Sequence, residues 1–139
     1  MKQPEFTFFL DRSLGKEIVA QALRAAGAHV KVHDDHFPAD AKDEDWLTQV
    51  GSFGWIVLTK DRRFHTRILE ITAIARSRVR VFKLTAAGLQ GPEMASIFTK
   101  AIPKIMRVVI GNAAPFIATV DRNSRVKLAF SASKLIRYR

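Results

Sequence analysis

Two apolar segments of this chain run into an aspartate. Phe8-Phe9-Leu10 stops at Asp11, and Leu58-Thr59-Lys60 stops at Asp61. Read as parallel strands of one sheet, they place both carboxylates on the edge where such sheets bind ligands. Helix geometry supplies a third acid. In Asp43-Glu44-Asp45-Trp46-Leu47-Thr48-Gln49-Val50 the apolar stripe is Trp46, Leu47 and Val50. A helix advances about 100° per residue, so Asp43 lies on that stripe, Glu44 to its side and Asp45 roughly opposite, towards solvent. A carboxylate on an inward face is unusual. Three converging carboxylates repel one another unless a cation neutralises them. Oxygen-only ligation suits a hard divalent ion, Mg²⁺ or Mn²⁺. Such an ion activates water and stabilises a phosphoryl transition state. The expected metal ligands are thus Asp11, Asp43 and Asp61. On this reading the loss of Asp43 relieves repulsion in chelator. Each acid also has a plainer reading: Asp11 as a cap, Asp43 as a first-turn acid suiting the helix dipole, and Asp61 as a turn residue before Arg62 and Arg63.

The elements that must position these acids follow from periodicity. Phe6 to Leu10 reads as a buried strand. Ser13 is expected to cap a helix in which Ile18, Val19, Ala22, Leu23 and Ala26 recur at helical spacing, ending at Gly27. His29 to His33 alternates as a second strand, and Asp34 to Lys42 is a polar loop. A short helix spans Asp43 to Val50 and ends at Gly51. Gly54 to Thr59 is a third strand, Thr66 to Ala75 a helical stretch and Val79 to Leu84 a fourth strand. Pro92 opens a long helix with an apolar stripe from Met94 to Val109, which Pro103 is expected to kink. Phe116–Val120 and Val126–Phe130 form a hairpin. Strands alternating with helices predict a three-layer α/β/α sandwich with a mainly parallel central sheet. The 139 residues suit one domain, 1–139, with a basic helix and hairpin extension from about residue 90.

Apolar residues make up 47% of the chain, which excludes intrinsic disorder, and there is no cysteine to support disulfides or thiolate chemistry. No run approaches the ~20 apolar residues of a membrane span. The segment Met1-Lys2-Gln3-Pro4-Glu5 lacks the features of a signal peptide, so a cytoplasmic protein without a membrane partner is expected. The net charge of +10 is unevenly placed: residues 1–70 carry 10 Lys and Arg against 11 Asp and Glu, residues 71–139 carry 13 against 2. A basic excess of this size favours an anionic partner such as nucleic acid.

These residues resemble a known family. Thr59-Lys60-Asp61-Arg62-Arg63-Phe64 is similar to the T-x-D-x-D-F segment of compact PIN-like domains. Phe8-Phe9-Leu10-Asp11 matches their opening strand and first acid, Leu23-Arg24-Ala25-Ala26-Gly27 their first helix end, and Asp43 with Trp46 and Leu47 their next acid. The resemblance covers about residues 5–85. It implies an Mg²⁺- or Mn²⁺-dependent ribonuclease of the VapC type, the toxin of a toxin–antitoxin pair. RNA is then the substrate and a cognate antitoxin the partner, with homodimerisation left open. The family's second aspartate is Arg63 here, and its extra mid-chain glutamate has no clear counterpart, Asp45 or Glu44 being substitutes; the resemblance then implies Asp45 as an outer ligand or base-orienting acid. An inactive RNA-binding or regulatory module therefore stands as the alternative. A phosphoryl-accepting receiver domain fits less well, because Arg12 and Ser13 follow Asp11 where an acidic pair is wanted.

Other polar residues read more simply. His33 to His36 suits a solvated loop better than a metal pair, since Pro38 and the preceding strand disfavour a helix there. His65 reads as a surface histidine, and Trp46 and Trp55 as core. Arg12, Lys60, Arg62 and Arg63 flank the strand-end acids, where they either hold phosphates or simply charge the surface. The tail residues Lys134, Arg137 and Arg139 are further candidates for phosphate contact.

Overall fold

The computed structural model describes residues 6–139, the side chain of residue 65 excepted. The expectations for segment 1–5 and for the His65 side chain lie outside the described residues. The strands are β1 (Thr7–Leu10), β2 (His29–Val32), β3 (Ile56–Thr59), β4 (Arg80–Leu84), β5 (Phe116–Val120) and β6 (Val126–Phe130). They form one sheet in the order β2-β1-β3-β4-β5-β6. All pairs are parallel except β5 with β6, the expected hairpin. The helices are α1 (Ile18–Ala25), α2 (Asp43–Phe53), α3 (Arg63–Thr66), α4 (Ile68–Ser77), α5 (Gly91–Gly111) and α6 (Ala132–Leu135).

Near-continuous apolar strands predict a sheet buried on both faces, and alternation divides them between two cores. Phe8 and Leu10 join Leu58, Phe82 and Phe116 in a core covered by α1 and α5. Phe9, Val57, Val81 and Ile117 face the other way, onto Trp46, Leu47 and Val50 of α2 and Ile71 and Ile74 of α4. These are the three layers the sequence predicts.

The strand order fixes where a ligand can sit. From β1 the chain moves outward to β2, then returns past β1 to β3 and continues to β4 and β5. The reversal lies between β1 and β3, and at such a switch point the loops leaving the strands part to open a crevice. Asp11 directly follows β1, its N–H bonded to the Leu58 carbonyl at 3.2 Å, and Asp61 follows β3 by one residue. The β5–β6 turn, with exposed Arg122 and Arg125, lies on the same sheet edge. β6 runs back, so α6 and the tail start from the opposite edge.

Several boundaries differ from the sequence reading. Helix α2 continues through Gly51 and ends at Gly54, which takes a left-handed conformation. Gly51 serves close packing instead: a Cβ there would lie 2.0 Å from the Ser77 carbonyl oxygen of α4. Ser13 does not cap α1; it lies in a 3₁₀ turn at Arg12–Leu14 that Asp11 caps. The helical stretch after β3 is two helices, separated by Arg67 in extended conformation. Helix α5 starts at Gly91 with a Gln90–Glu93 capping box and is assigned as one helix through Pro103.

Candidate active site

The β1 and β3 ends are joined by side chains. Asp11 is buried, 5% exposed, and accepts hydrogen bonds from the Ser13 backbone N–H at 2.9 Å and from the Ser13 and Thr59 hydroxyls. Thr59 Oγ1 in turn accepts the Asp61 N–H at 2.9 Å. One hydroxyl thus ties the two strand-end acids. Burial pushes the Asp11 carboxyl up to about 6, against its hydroxyl and amide donors, which favour the charged form.

Asp61 is treated differently. Its Oδ1 accepts the Arg63 N–H at 3.0 Å, closing the turn, and its carboxylate accepts Arg63 Nε at 3.0 Å and Nη2 at 2.5 Å. Burial pushes the Asp61 carboxyl up, but the Arg63 hydrogen bonds outweigh it and hold the group below the ordinary aspartate value. The same Nη2 lies 3.1 Å from Asp43 Oδ2, and Arg63 Nη1 lies 3.9 Å from Glu70 Oε1. Asp43 is fixed from behind by Trp46 Nε1, which donates to Oδ1 at 3.0 Å. Position three residues on in a helix is what lets the indole reach it.

These acids and Arg63 line one open cavity of about 890 Å³, with Asp11 and Ser13 from the turn after β1, His33, Asp43 and Trp46, and Asp61, Arg63 and Glu70 around it. Asp45 is exposed on the cavity wall, as is Glu44, while Asp43 is half-buried. The angular argument separating Asp43 from Asp45 therefore holds. The plainer readings of the acids hold as well, because Asp11 caps a turn, Asp61 closes one, and both still face the cavity.

Glu70 is the residue that sequence reasoning missed. It stands in the first turn of α4, and its Oε2 is buried without a hydrogen-bond partner among the described residues. Its signal was available: Glu70 lies one residue before Ile71, on the inward side of a helix that follows the Asp61 turn. The cations are also distributed otherwise than expected. Arg12 is committed to Asp34 at 3.0 Å, and Arg63 to carboxylates. Lys60 and Arg62 line a second cavity of about 250 Å³ that borders Asp61 on its other flank. His33 is not in a solvated loop; it is buried against Phe9, Phe37 and Trp46, and burial lowers its pKa. Lys83 is buried in β4, its pKa lowered by burial and by Arg62.

The donors suit a hard cation in kind, since Asp11, Asp43, Asp61 and Glu70 offer only oxygen. In their present arrangement no group of three such side chains among the described residues forms a metal-holding cluster. A guanidinium supplies the neutralising charge instead. The expectation that loss of Asp43 relieves charge repulsion does not fit this arrangement: Asp43 is paired with Arg63 and accepts the Trp46 N–H, and its loss strips a partner from each.

The architecture and the site define an α/β domain with a carboxylate-lined crevice at the sheet's switch point. Residues 6–86 match the family model described as a PIN-like domain, and the chain belongs to that family. A relative from Mycobacterium tuberculosis (strain ATCC 25618 / H37Rv), named "Putative ribonuclease VapC45", is 27% identical over 124 residues, spanning 86% of this chain and 89% of the relative. No helix among the described residues is long and apolar enough to cross a membrane.

Proposed function

We propose that this chain is an endoribonuclease that hydrolyses RNA phosphodiesters with a bound Mg²⁺ or Mn²⁺, and that it is the toxin of a toxin–antitoxin pair. The observation that carries the reading is the convergence of Asp11, Asp61 and Asp43 on one cavity at the switch point of a PIN-like sheet. The name of the mycobacterial relative supports the same activity and, with it, an antitoxin partner. Asp11, Asp43 and Asp61 would hold the ion, which when bound would supply Lewis acidity and a water of lowered pKa. Ser13 and Thr59 fix the orientation of Asp11. Asp45, exposed on the cavity wall, would serve as an outer ligand or base-orienting acid. Lys60 and Arg62 receive the phosphates flanking the scissile bond, and the exposed Arg122 and Arg125 extend that basic rim along the same edge. The segment from about residue 90 belongs to the same domain on this reading, because β5 and β6 complete its sheet.

A non-catalytic RNA-binding module is the second reading, favoured by one observation: Arg63 occupies two of the three acids. Divalent-dependent cleavage of structured RNAs by the wild type and by Asp43→Asn separates the two. Cleavage that is lost in chelator and in the variant supports the nuclease. RNA binding with no cleavage in either protein supports the module. A small adjacent reading frame whose product binds the chain and blocks cleavage is the expected antitoxin.

A further inference from the structure

Arg63 has more partners than a surface arginine needs. Its guanidinium grips Asp61 through two nitrogens, reaches Asp43 with one of them, and turns the remaining Nη1 towards Glu70 at 3.9 Å. The first two contacts are made at hydrogen-bond distance and the third is not. Yet Glu70 is the acid with an oxygen to spare, since its Oε2 is buried and accepts nothing among the described residues. A buried carboxylate oxygen left unpaired is costly. Arg63 is also 41% exposed and lines the cavity, so it has room to move. A guanidinium and a divalent ion compete for the Asp61 and Asp43 oxygens, because Arg63 already engages both carboxylates and the two cations repel.

We propose that Arg63 is a two-position counter-ion: it clasps Asp61 and Asp43, and a divalent cation entering the site displaces it onto Glu70. This rests on the reading of Asp43 and Asp61 as metal ligands. Glu70 is then a positioning residue that acts on the ion only through Arg63, and the occupant of position 63 sets how readily the site loads. A chain with a carboxylate there would add a ligand; this one adds a competitor.

Calorimetric titration of Mn²⁺ into the full chain tests this without reference to cleavage, using wild type, Arg63→Gln, Glu70→Gln and the double variant. Arg63→Gln is expected to bind Mn²⁺ more tightly than wild type, on the order of tenfold, the equivalent of one charge-assisted hydrogen bond. Glu70→Gln is expected to bind more weakly by a similar factor, and the double variant to match Arg63→Gln. Arg63→Lys keeps the charge without the two-nitrogen grip and is expected to fall between wild type and Arg63→Gln, so the series stays readable if one member folds poorly. Equal Mn²⁺ affinity in wild type and Arg63→Gln overturns the clasp. A Glu70→Gln loss as large in the Arg63→Gln background as in the wild type overturns the second position and makes Glu70 a ligand. Absence of Mn²⁺ binding in every variant overturns the metal reading and the clasp with it, whereas equal affinities leave the metal reading standing.

Discussion

Residues 6–86 and residues 87–139 fold into one sheet but use their charge in opposite ways. The earlier region concentrates acids and gathers six of them around a cavity at the β1–β3 crevice. The later region carries almost no acid; it contributes α5, which closes one face of the sheet with Phe98, Ala101 and Ile105, and the hairpin that extends the sheet's edge. The family match ends at residue 86, before α5 begins. On the proposed reading the lesson is a division of labour: the carboxylate-lined cavity that would do chemistry sits where the strand order reverses, and the later region supplies burial and a basic rim.

The sharpest way to break that comparison is to exchange single groups between the regions. Asp61→Asn is expected to lower RNA turnover by a thousandfold or so, on the order of 4 kcal/mol of barrier, because on the proposed reading a direct ion-holding oxygen is lost. Neutralising Asp121 in the β5–β6 turn should leave turnover near wild type. Comparable losses in both variants, measured on a fluorogenic RNA, would contradict the assignment of chemistry to the first region alone.

Stability should show the reverse asymmetry. Phe98→Ala removes a fully buried ring beneath α5 and is expected to cost about 3–5 kcal/mol in urea unfolding. A loss below about 1 kcal/mol would mean that α5 is a loosely held cover and not part of the core.

Within the first region, Asp11 and Asp61 differ in sign. The Asp11 carboxyl is raised to about 6, so its contribution to stability is fully present below about 3.8 and is lost as pH rises through about 6. In chelator, Asp11→Asn is therefore expected to be more stable than wild type at pH 8, by up to about 3 kcal/mol, with the gap closing towards pH 4. Asp61 is held below its ordinary value, so its contribution is present above that value and fades as the pH falls below it. Thermal melts from pH 3 to 8 decide the matter: a gap for Asp11→Asn that is constant with pH would show that Asp11 is not titrating.

The smallest effect concerns the basic rim. Arg122→Gln with Arg125→Gln is expected to weaken RNA binding and flatten its salt dependence by about one to two counterions. Replacing Lys134, Arg137 and Arg139 by Gln should change the slope less, because the tail starts from the opposite sheet edge. Binding isotherms at several salt concentrations compare the two sets, and a larger change from the tail would reverse their order.

Much of this was legible in residue order. Apolar runs and breakers located all six strands, the hairpin to the residue, and the acids Asp11, Asp43 and Asp61, because periods of 2 and 3.6 are local properties of the chain. The limits of α2 were not legible, since Gly51 reads as a stop until α4 is seen lying against it. Nor were the partners of charge. Arg63 stands two residues after Asp61 and reads as a lost acid, and the sequence reading does not single out Glu70. Only the crossing from β2 back to β3 brings α2 beside α3 and α4, so that Asp43 and Glu70 meet one guanidinium. Sequence alone determined which groups are available and which faces they occupy, because both follow from backbone geometry. Which charges neutralise which was decided by the tertiary structure, because Coulomb energy and hydrogen bonding depend on distances of a few ångströms between segments far apart in the chain.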